Sequence, residues 1–299
     1  MRSIDITLLT DSRYVNPAKL NGYVQNILED DRLLTEAFQK KGLRVARTNW
    51  DNPTYHWKET RYALFRTTWD YFDRFSEFSQ WLDQANQQTT FINPIETIRW
   101  NIDKHYLADL QTQGINIPPT IFIKQGDQRT LQQIINSAGW ATSILKPAIS
   151  GSARHTYKLT LENLGNHETI FRELISQESM LLQEFQQRVV SQGEVAFMIF
   201  GGTYSHAVLK KAKPGDFRVQ DDFGGSVHEY EASHKEIEFA KRVVSCIKPV
   251  PLYARVDVIW DNPGNLCVSE LELIEPELWF RKHPAAADLF AATVAAHIR

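Results

Sequence analysis

At 299 residues the chain is too long for one small core and predicts two or three structural units. A hydrophobic fraction of 42%, with 8 Trp and 16 Phe, supplies enough apolar surface to fold throughout and excludes a disordered chain. With a net charge of -3 and no basic, aromatic-interleaved patch, nucleic acid is not an expected partner.

The first apolar run, Ile4 to Leu9, is interrupted by Asp5 and followed at once by Asp11 and Arg13, too short for a signal peptide or a membrane span. A cytoplasmic protein without a membrane partner is the expectation. Short strand-like runs then alternate with helical periods: a helix over Leu28 to Lys41, Leu43 to Ala46, Tyr62 to Phe65, a helix over Asp70 to Gln84, and Thr90 to Ile92. Such alternation predicts a small parallel α/β domain over residues 1–93. Ligands of such units sit beyond the carboxyl ends of strands, which singles out Asp11, Ser12 and the segment Arg66 to Asp70. Asp70 reads equally well as a helix N-cap before Tyr71.

Asn93-Pro94 breaks the chain, and a second domain is expected over 94–299. After a helix at Asn101 to Leu110, the order Thr120 to Lys124, Leu131 to Ser137, Ser143 to Lys146, Thr156 to Leu159 and His167 to Ser176 predicts a small β-α-β-β-α lobe, about 118–182. The remainder, about 183–299, is strand-rich. Together with the preceding Met180 to Phe185, its runs Glu194 to Phe200, Thr203 to Lys210, Ser226 to Glu231, Leu252 to Trp260 and Cys267 to Ile274 predict an antiparallel sheet. Helices at His234 to Cys246 and Ala285 to His297 would back it. The two cysteines, Cys246 and Cys267, form neither a CxxC pair nor a disulfide framework, which fits a reducing compartment.

The strongest chemical signal lies between Leu252 and Glu277. Alternation puts Arg255 and Asp257 on one face of a strand, and Glu270 and Glu272 on one face of the next, across a five-residue Asp261-Asn262-Pro263-Gly264-Asn265 loop. If Asp257 faces Glu270, Arg255 faces Glu272. Facing carboxylates weaken a sheet unless a cation lies between them, and Mg2+ takes oxygen ligands of this kind. A solvated outer face, with Glu275 and Glu277 continuing it, accounts for the same alternation.

Upstream, Lys146-Pro147 closes a strand before the small-residue loop Ala148 to Arg154, whose Gly151 and Ser152 amides could lie against phosphate oxygens while Lys146 supplies charge. Lys210, Lys211, Lys213 and Arg218 cluster in an otherwise slightly acidic chain, either as an anion clamp or as a solvated loop. Walker A, GxGxxG, GxSxG and HExxH patterns do not occur, which disfavours P-loop, simple dinucleotide, α/β-hydrolase and zinc chemistry.

In this order and spacing, from about Asn101 to the C-terminus, the pieces resemble the ATP-grasp superfamily. Within it the chain is most similar to the glutathione synthetase and ribosomal-protein glutamate ligase (RimK-type) branch, and more narrowly to the cycloserine-forming ligases. Trp69-Asp70-Tyr71, Trp100-Asn101-Ile102-Asp103-Lys104, Gly215-Asp216-Phe217-Arg218 and Glu270-Leu271-Glu272-Leu273-Ile274-Glu275-Pro276 carry the narrower match. The fold this implies is α/β (α+β): a Rossmann-like pre-ATP-grasp domain, a small lid lobe and a C-terminal antiparallel-sheet lobe. The resemblance implies that Lys104 and Lys146 reach the ATP phosphates and that Gln183, Glu184 and Phe185 form the adenine hinge. It places Glu194 near the nucleoside, makes Lys210 and Arg218 a phosphate and substrate clamp, and makes Asp257, Glu270 and Glu272 ligands of Mg2+, or of Mn2+ in its place. Two departures stand out: Glu272 replaces a common Asn, keeping an oxygen donor, and the loop after Lys146 holds the single glycine Gly151.

The function implied is a carboxylate–amine ligase that activates an amino acid or small peptide as an acyl phosphate. Arg66, Asp70, Arg255 and Arg281 are candidate substrate contacts, each with a salt-bridge role as the competing account. An intramolecular cyclo-ligase and a nucleotide-binding regulatory protein are the alternatives. No motif addresses oligomeric state, for which a homodimer is the default.

Overall fold

The strands of the N-terminal part are apolar on both faces, as a parallel sheet covered on both sides requires. In the computed structural model, which describes residues 2–219 and 224–298, β1 (Ile4–Thr10), β2 (Val45–Asn49), β3 (Thr60–Thr67) and β4 (Thr90–Ile92) form a wholly parallel sheet in the order β2-β1-β3-β4. One turn of helix, α1 (Ser12–Val15), follows β1; α2 (Gly22–Lys40), N-capped by the Asn21 side chain, covers one face, and α3 (Phe75–Asn86) covers the other. Helix α3 starts later than the sequence suggests. Residues 70–74 are turns, because the Asp70 carboxylate accepts from the Trp50 indole at 2.8 Å and pairs with Arg74 at 3.0 Å, so it caps no helix.

The helix expected at Asn101 to Leu110 is two helices, α4 (Ile95–Ile102) and α5 (Tyr106–Thr112). The chain extends at Asp103, and the Lys104 amide donates to the Ala148 carbonyl at 2.9 Å. That tie pulls Lys104 out of helical geometry and toward the lid. The middle sheet comprises β5 (Thr120–Ile123), β6 (Thr142–Pro147), β7 (Tyr157–Thr160) and β8 (Met180–Glu184), antiparallel in the order β5-β8-β6-β7. Helices α6 (Leu131–Ala138) and α7 (Glu168–Gln177) pack on one face of it. Strand β8, which the sequence groups with the C-terminal strands, sits here because β5 and β6 take its two edges.

After the short α8 (Arg188–Gln192), β9 (Glu194–Phe200), β10 (Thr203–Lys211), β11 (Ser226–Tyr230), β12 (Ala254–Trp260) and β13 (Leu266–Glu272) build an antiparallel sheet in the order β11-β10-β9-β12-β13. Helix α9 (His234–Ser245), opened by a Ser233/Glu236 capping box, packs on the face bearing Phe197, Val256 and Val268. On the opposite face Ala196, Met198 and Val208 share a core with α10 (Ala285–Ile298) and α2, so the N- and C-terminal sheets are joined through one apolar layer. The site occupies the rest of that face. The segment 220–223 of the basic loop lies outside the described residues. No described helix is long and apolar enough to cross a membrane.

As the last strand in the sheet, β13 would expose unpaired backbone, which a protein normally covers. Here side chains and loops do so: Asn101 donates to the Leu271 carbonyl at 2.8 Å and accepts from the Leu273 amide at 2.7 Å, the Tyr106 hydroxyl accepts from the Leu271 amide at 3.0 Å, and the Asn116 carbonyl accepts from Val268 at 2.9 Å. Buried Asn93 likewise joins the Tyr253 and Leu273 carbonyls and the Leu252 amide. Asn101→Ala strands two buried backbone groups and is expected to cost about 2–4 kcal/mol in denaturant unfolding. A cost near zero would show that water takes over both bonds.

Candidate active site

The β12–β13 ladder pairs Asp257 with Glu270 and Arg255 with Glu272, with a bulge after Asp257. The register that alternation left open is thereby the one that puts all four side chains on a shared face. Asp257, Glu270 and Glu272 each offer a carboxylate oxygen within 4.8 Å of the others. Left alone, three acids so close would repel strongly. Cations are set among them. Lys210 on β10 reaches Asp257 at 2.9 Å and Glu194 at 2.6 Å; Arg255 bridges Asp257 at 2.8 Å and Glu272; Lys104 contacts Glu270 at 3.2 Å.

The protonation pattern follows from this geometry. Burial by itself would raise the Asp257 carboxyl, but Arg255 and Lys210 outweigh it and hold it below the usual range. Glu270 behaves alike, with Lys104 and Lys146 overcoming its burial. In Glu272 burial prevails, aided by Glu270 and Asp257, and pushes it up to about 8 despite Arg255. Burial lowers Lys146, whereas Asp257 and Glu194 keep Lys210 above its ordinary value against the same burial. Glu194 therefore anchors Lys210, and the Ser269 hydroxyl holds its other oxygen at 2.6 Å.

Facing this sheet, the lid contributes Lys146 from β6 and the loop after it. The Lys104 ammonium bonds the Ser150 carbonyl, and Ser152 and Ala153 both have left-handed backbone, at φ 47° and 53°. Gly151 has no room for a side chain: a Cβ would lie 2.4 Å from the Phe72 ring. In the segment expected to form the hinge, the Phe185 amide donates to the Thr142 carbonyl and its carbonyl accepts from Asn262, while Gln183 donates to the Thr120 hydroxyl. The Phe185 ring lies under the Lys158 ammonium at 4.0 Å and edge-on to Phe217. Arg218 is held by Asp216 at 2.8 Å.

One cavity of about 260 Å³ is lined by Lys104, Lys146, Gly151, Ser152, Gln183, Glu184, Phe185, Glu194, Lys210, Arg218, Asp257, Glu270 and Glu272, and by Arg255, whereas Lys211 and Lys213 of the basic cluster do not line it. Of the candidate substrate contacts, Arg255 belongs to this wall, whereas Arg66, Asp70 and Arg281 do not. Buried Arg66 donates to the Pro276 carbonyl, and Arg281 pairs with Asp30 and Glu277. Asp11 is likewise spent on Arg13, at 2.6 Å. The wall also holds Tyr23, Phe72, Ile144, Val189, Ile259 and Trp279, which no motif marks. The all-oxygen donor set, three carboxylates in mutual reach beside lysines and an open cavity, fits a hard divalent cation such as Mg2+.

Two unlike antiparallel sheets closing on such a cavity, with Lys146 from one and the three acids and Lys210 from the other, form the ATP-grasp fold, and the comparisons agree. The chain is similar to the cycloserine synthetases: the family model of the D-cycloserine synthetase DcsG N-terminal domain matches residues 6–93. The cycloserine biosynthesis protein DcsG of Streptomyces lavendulae is 26% identical over 283 residues, covering 89% of this chain and 93% of the relative. The crystal structure of D-cycloserine synthetase DcsG superposes with a TM-score of 0.88 at 24% identity, covering 98% of this chain and 99% of that one. The D-alanine–D-alanine ligase of Bacillus anthracis complexed with ATP gives a TM-score of 0.63 at 13% identity, covering 99% and 97% of the two chains.

Lys210→Met leaves Asp257 and Glu194 short of a buried cation and is expected to lower stability by about 3–5 kcal/mol at pH 7.5. Lys210 helps depress the Asp257 carboxyl, so its contribution is present above the unfolded carboxylate range and is lost as pH falls through the folded value. In the variant the stranded Asp257 takes up its proton at higher pH than before, so the deficit should shrink by pH 5.5. Equal deficits at both pH values in denaturant titrations would assign the loss to packing instead of charge.

Proposed function

We propose that the protein is an ATP- and Mg2+-dependent carboxylate–amine ligase that works through an acyl phosphate on an amino acid or small peptide, releasing ADP and phosphate. The observation that carries this reading is the convergence, in one cavity, of three mutually close carboxylates with Lys104, Lys146 and Lys210. Asp257, Glu270 and Glu272 would hold Mg2+, which supplies Lewis-acid neutralisation of phosphate charge.

Lys104, Lys146, Lys210 and Arg218 would bind the phosphate oxygens, and the Gly151–Ser152 backbone would lie along them. Adenine would enter between Phe185, Ile144 and Ile259, with Glu184 at the hinge to bond its amino group. A substrate carboxylate oxygen attacks the γ-phosphorus as the bond to the β-phosphate oxygen breaks and ADP leaves. The amine nitrogen then attacks the acyl carbon, phosphate departs with the C–O electron pair, and the nitrogen loses its proton to solvent. No protein nucleophile takes part, so positioning and electrostatics supply the acceleration. The free thiols Cys246 and Cys267 and the demand for ATP suit the cytoplasm.

A second reading, ring closure within one substrate, is favoured by the cycloserine-forming relative that covers most of the chain. A panel of amino acids and dipeptides, scored for ADP and phosphate release and for product mass, tests both readings. Turnover should fall by more than about 100-fold in Asp257→Asn. A product one water lighter than a single substrate identifies ring closure; a product joining two substrates identifies intermolecular ligation. ATP binding without turnover across the panel would instead make the protein a nucleotide-binding regulator.

A further inference from the structure

Beyond Glu272 the chain leaves the sheet, and residues 275–279 have no regular secondary structure. Glu275, Glu277 and Trp279 nevertheless line the cavity. With no backbone ladder of its own, such a segment keeps its place through bonds from other elements. Its carbonyls take them: that of Glu275 accepts from the Trp69 indole at 3.0 Å, that of Pro276 from Arg66 at 3.2 Å, and that of Leu278 from His206 Nε2 at 3.0 Å.

A further tie comes from a residue that does not touch the cavity. Asp30, on α2 of the N-terminal domain, is 3% exposed, and both its oxygens bond one residue: Oδ1 accepts from the Arg281 backbone amide at 2.8 Å and Oδ2 from its guanidinium at 2.9 Å. The same guanidinium donates to Glu277 at 2.6 Å. Arg281 therefore spans two carboxylates, one buried in the N-terminal domain and one in the cavity wall, and a planar donor fork held at both ends has little freedom left. The neighbouring Asp31 is engaged elsewhere, by Arg47 at 2.7 Å and Arg66 at 3.7 Å, and Arg66 lies over the Phe280 ring at 5.4 Å. Burial pushes Asp30 up to about 6 against the opposing pull of Arg281. A buried ion pair adds little net stability, so what it positions is the more informative question.

We propose that Asp30 is a positioning residue for the reaction: through the Arg281 bridge it fixes Glu277, and with it the wall segment 275–279, from outside the cavity. What is positioned rests on the ligase reading; that the wall is held by Asp30 does not. None of the residues proposed to hold ATP or Mg2+ lies in this segment, so a displaced wall acts on the second reactant and leaves nucleotide binding as it was.

The test is Asp30→Asn in the full chain, which keeps the side chain's shape and removes its charge. Fluorine NMR of fluorotryptophan-labelled protein gives the first readout, with the Trp279 and Trp50 resonances assigned by Trp279→Phe and Trp50→Phe. The Trp279 resonance should shift or broaden in Asp30→Asn, whereas that of Trp50, in the aromatic core of the N-terminal domain, should not. Kinetics give the second, with the substrate of the amino-acid and dipeptide panel that turns over fastest. Its KM should rise about tenfold or more, with kcat and the KM for ATP within about twofold of wild type. Added to Glu277→Gln, Asp30→Asn should raise that KM no further, because both changes break one bridge. An unmoved Trp279 resonance, a Trp50 resonance that moves with it, KM values for both reactants rising together, or effects that multiply in the double variant would each overturn the assignment. Arg281→Lys keeps the charge but cannot span both carboxylates; it is expected to act in the same direction, and it decides the question if Asp30→Asn fails to fold. No turnover across the panel would remove the ligase reading, and the Trp279 resonance would then still decide whether Asp30 holds the wall.

Discussion

Three carboxylates on neighbouring strands can share one face of a sheet only if positive charge is threaded among them. Lys210 enters from β10, Arg255 from β12 beside Asp257, and Lys104 from the break between α4 and α5, so each acid is held by a cation from a different part of the chain. Such a cluster is costly to bury and is tolerated because every member is paired. It also leaves the site close to neutral while holding oxygen donors together, the condition under which a divalent ion and a polyphosphate can enter by exchanging partners.

That arrangement requires β13 to keep its register, and much of the architecture serves this end. Asn93, Asn101 and Tyr106, all from the segment linking the N-terminal sheet to the lid, hydrogen-bond the backbone of β13 or of the residues just beyond it and before β12. A slip of one residue would turn Glu270 and Glu272 into the apolar layer beneath α9. The same linking segment carries Lys104, so strand register and the position of this cavity-lining lysine are set together.

The lid meets the N-terminal domain at the opposite wall. Gly151 lies against Phe72, Arg154 approaches Asp73 at 3.4 Å, and Ile149 joins the aromatic cluster around Phe78. This part of the cavity is therefore built jointly by the loop after β3, the loop after β6 and the chain after β13. Its aromatic lining follows from this three-way meeting and not from any one element.

Alternation in Arg255–Asp257 and Glu270–Glu272 was enough to read a shared acidic face, because side chains in a strand point to opposite sides in turn. Ordered motifs likewise made the fold and the residues proposed for nucleotide and metal legible, and the parallel N-terminal sheet was visible in its apolar runs. Tertiary structure alone decided the pairing partner of β8, the break at Asp103 and the exclusion of Arg66, Asp70 and Arg281 from the cavity wall, since each depends on contacts between segments far apart in the chain. It also decided the wall of Tyr23, Phe72 and Trp279, which in sequence look like any other core aromatics. Local pattern specifies which side of a strand a residue occupies; only the folded chain specifies what it meets there.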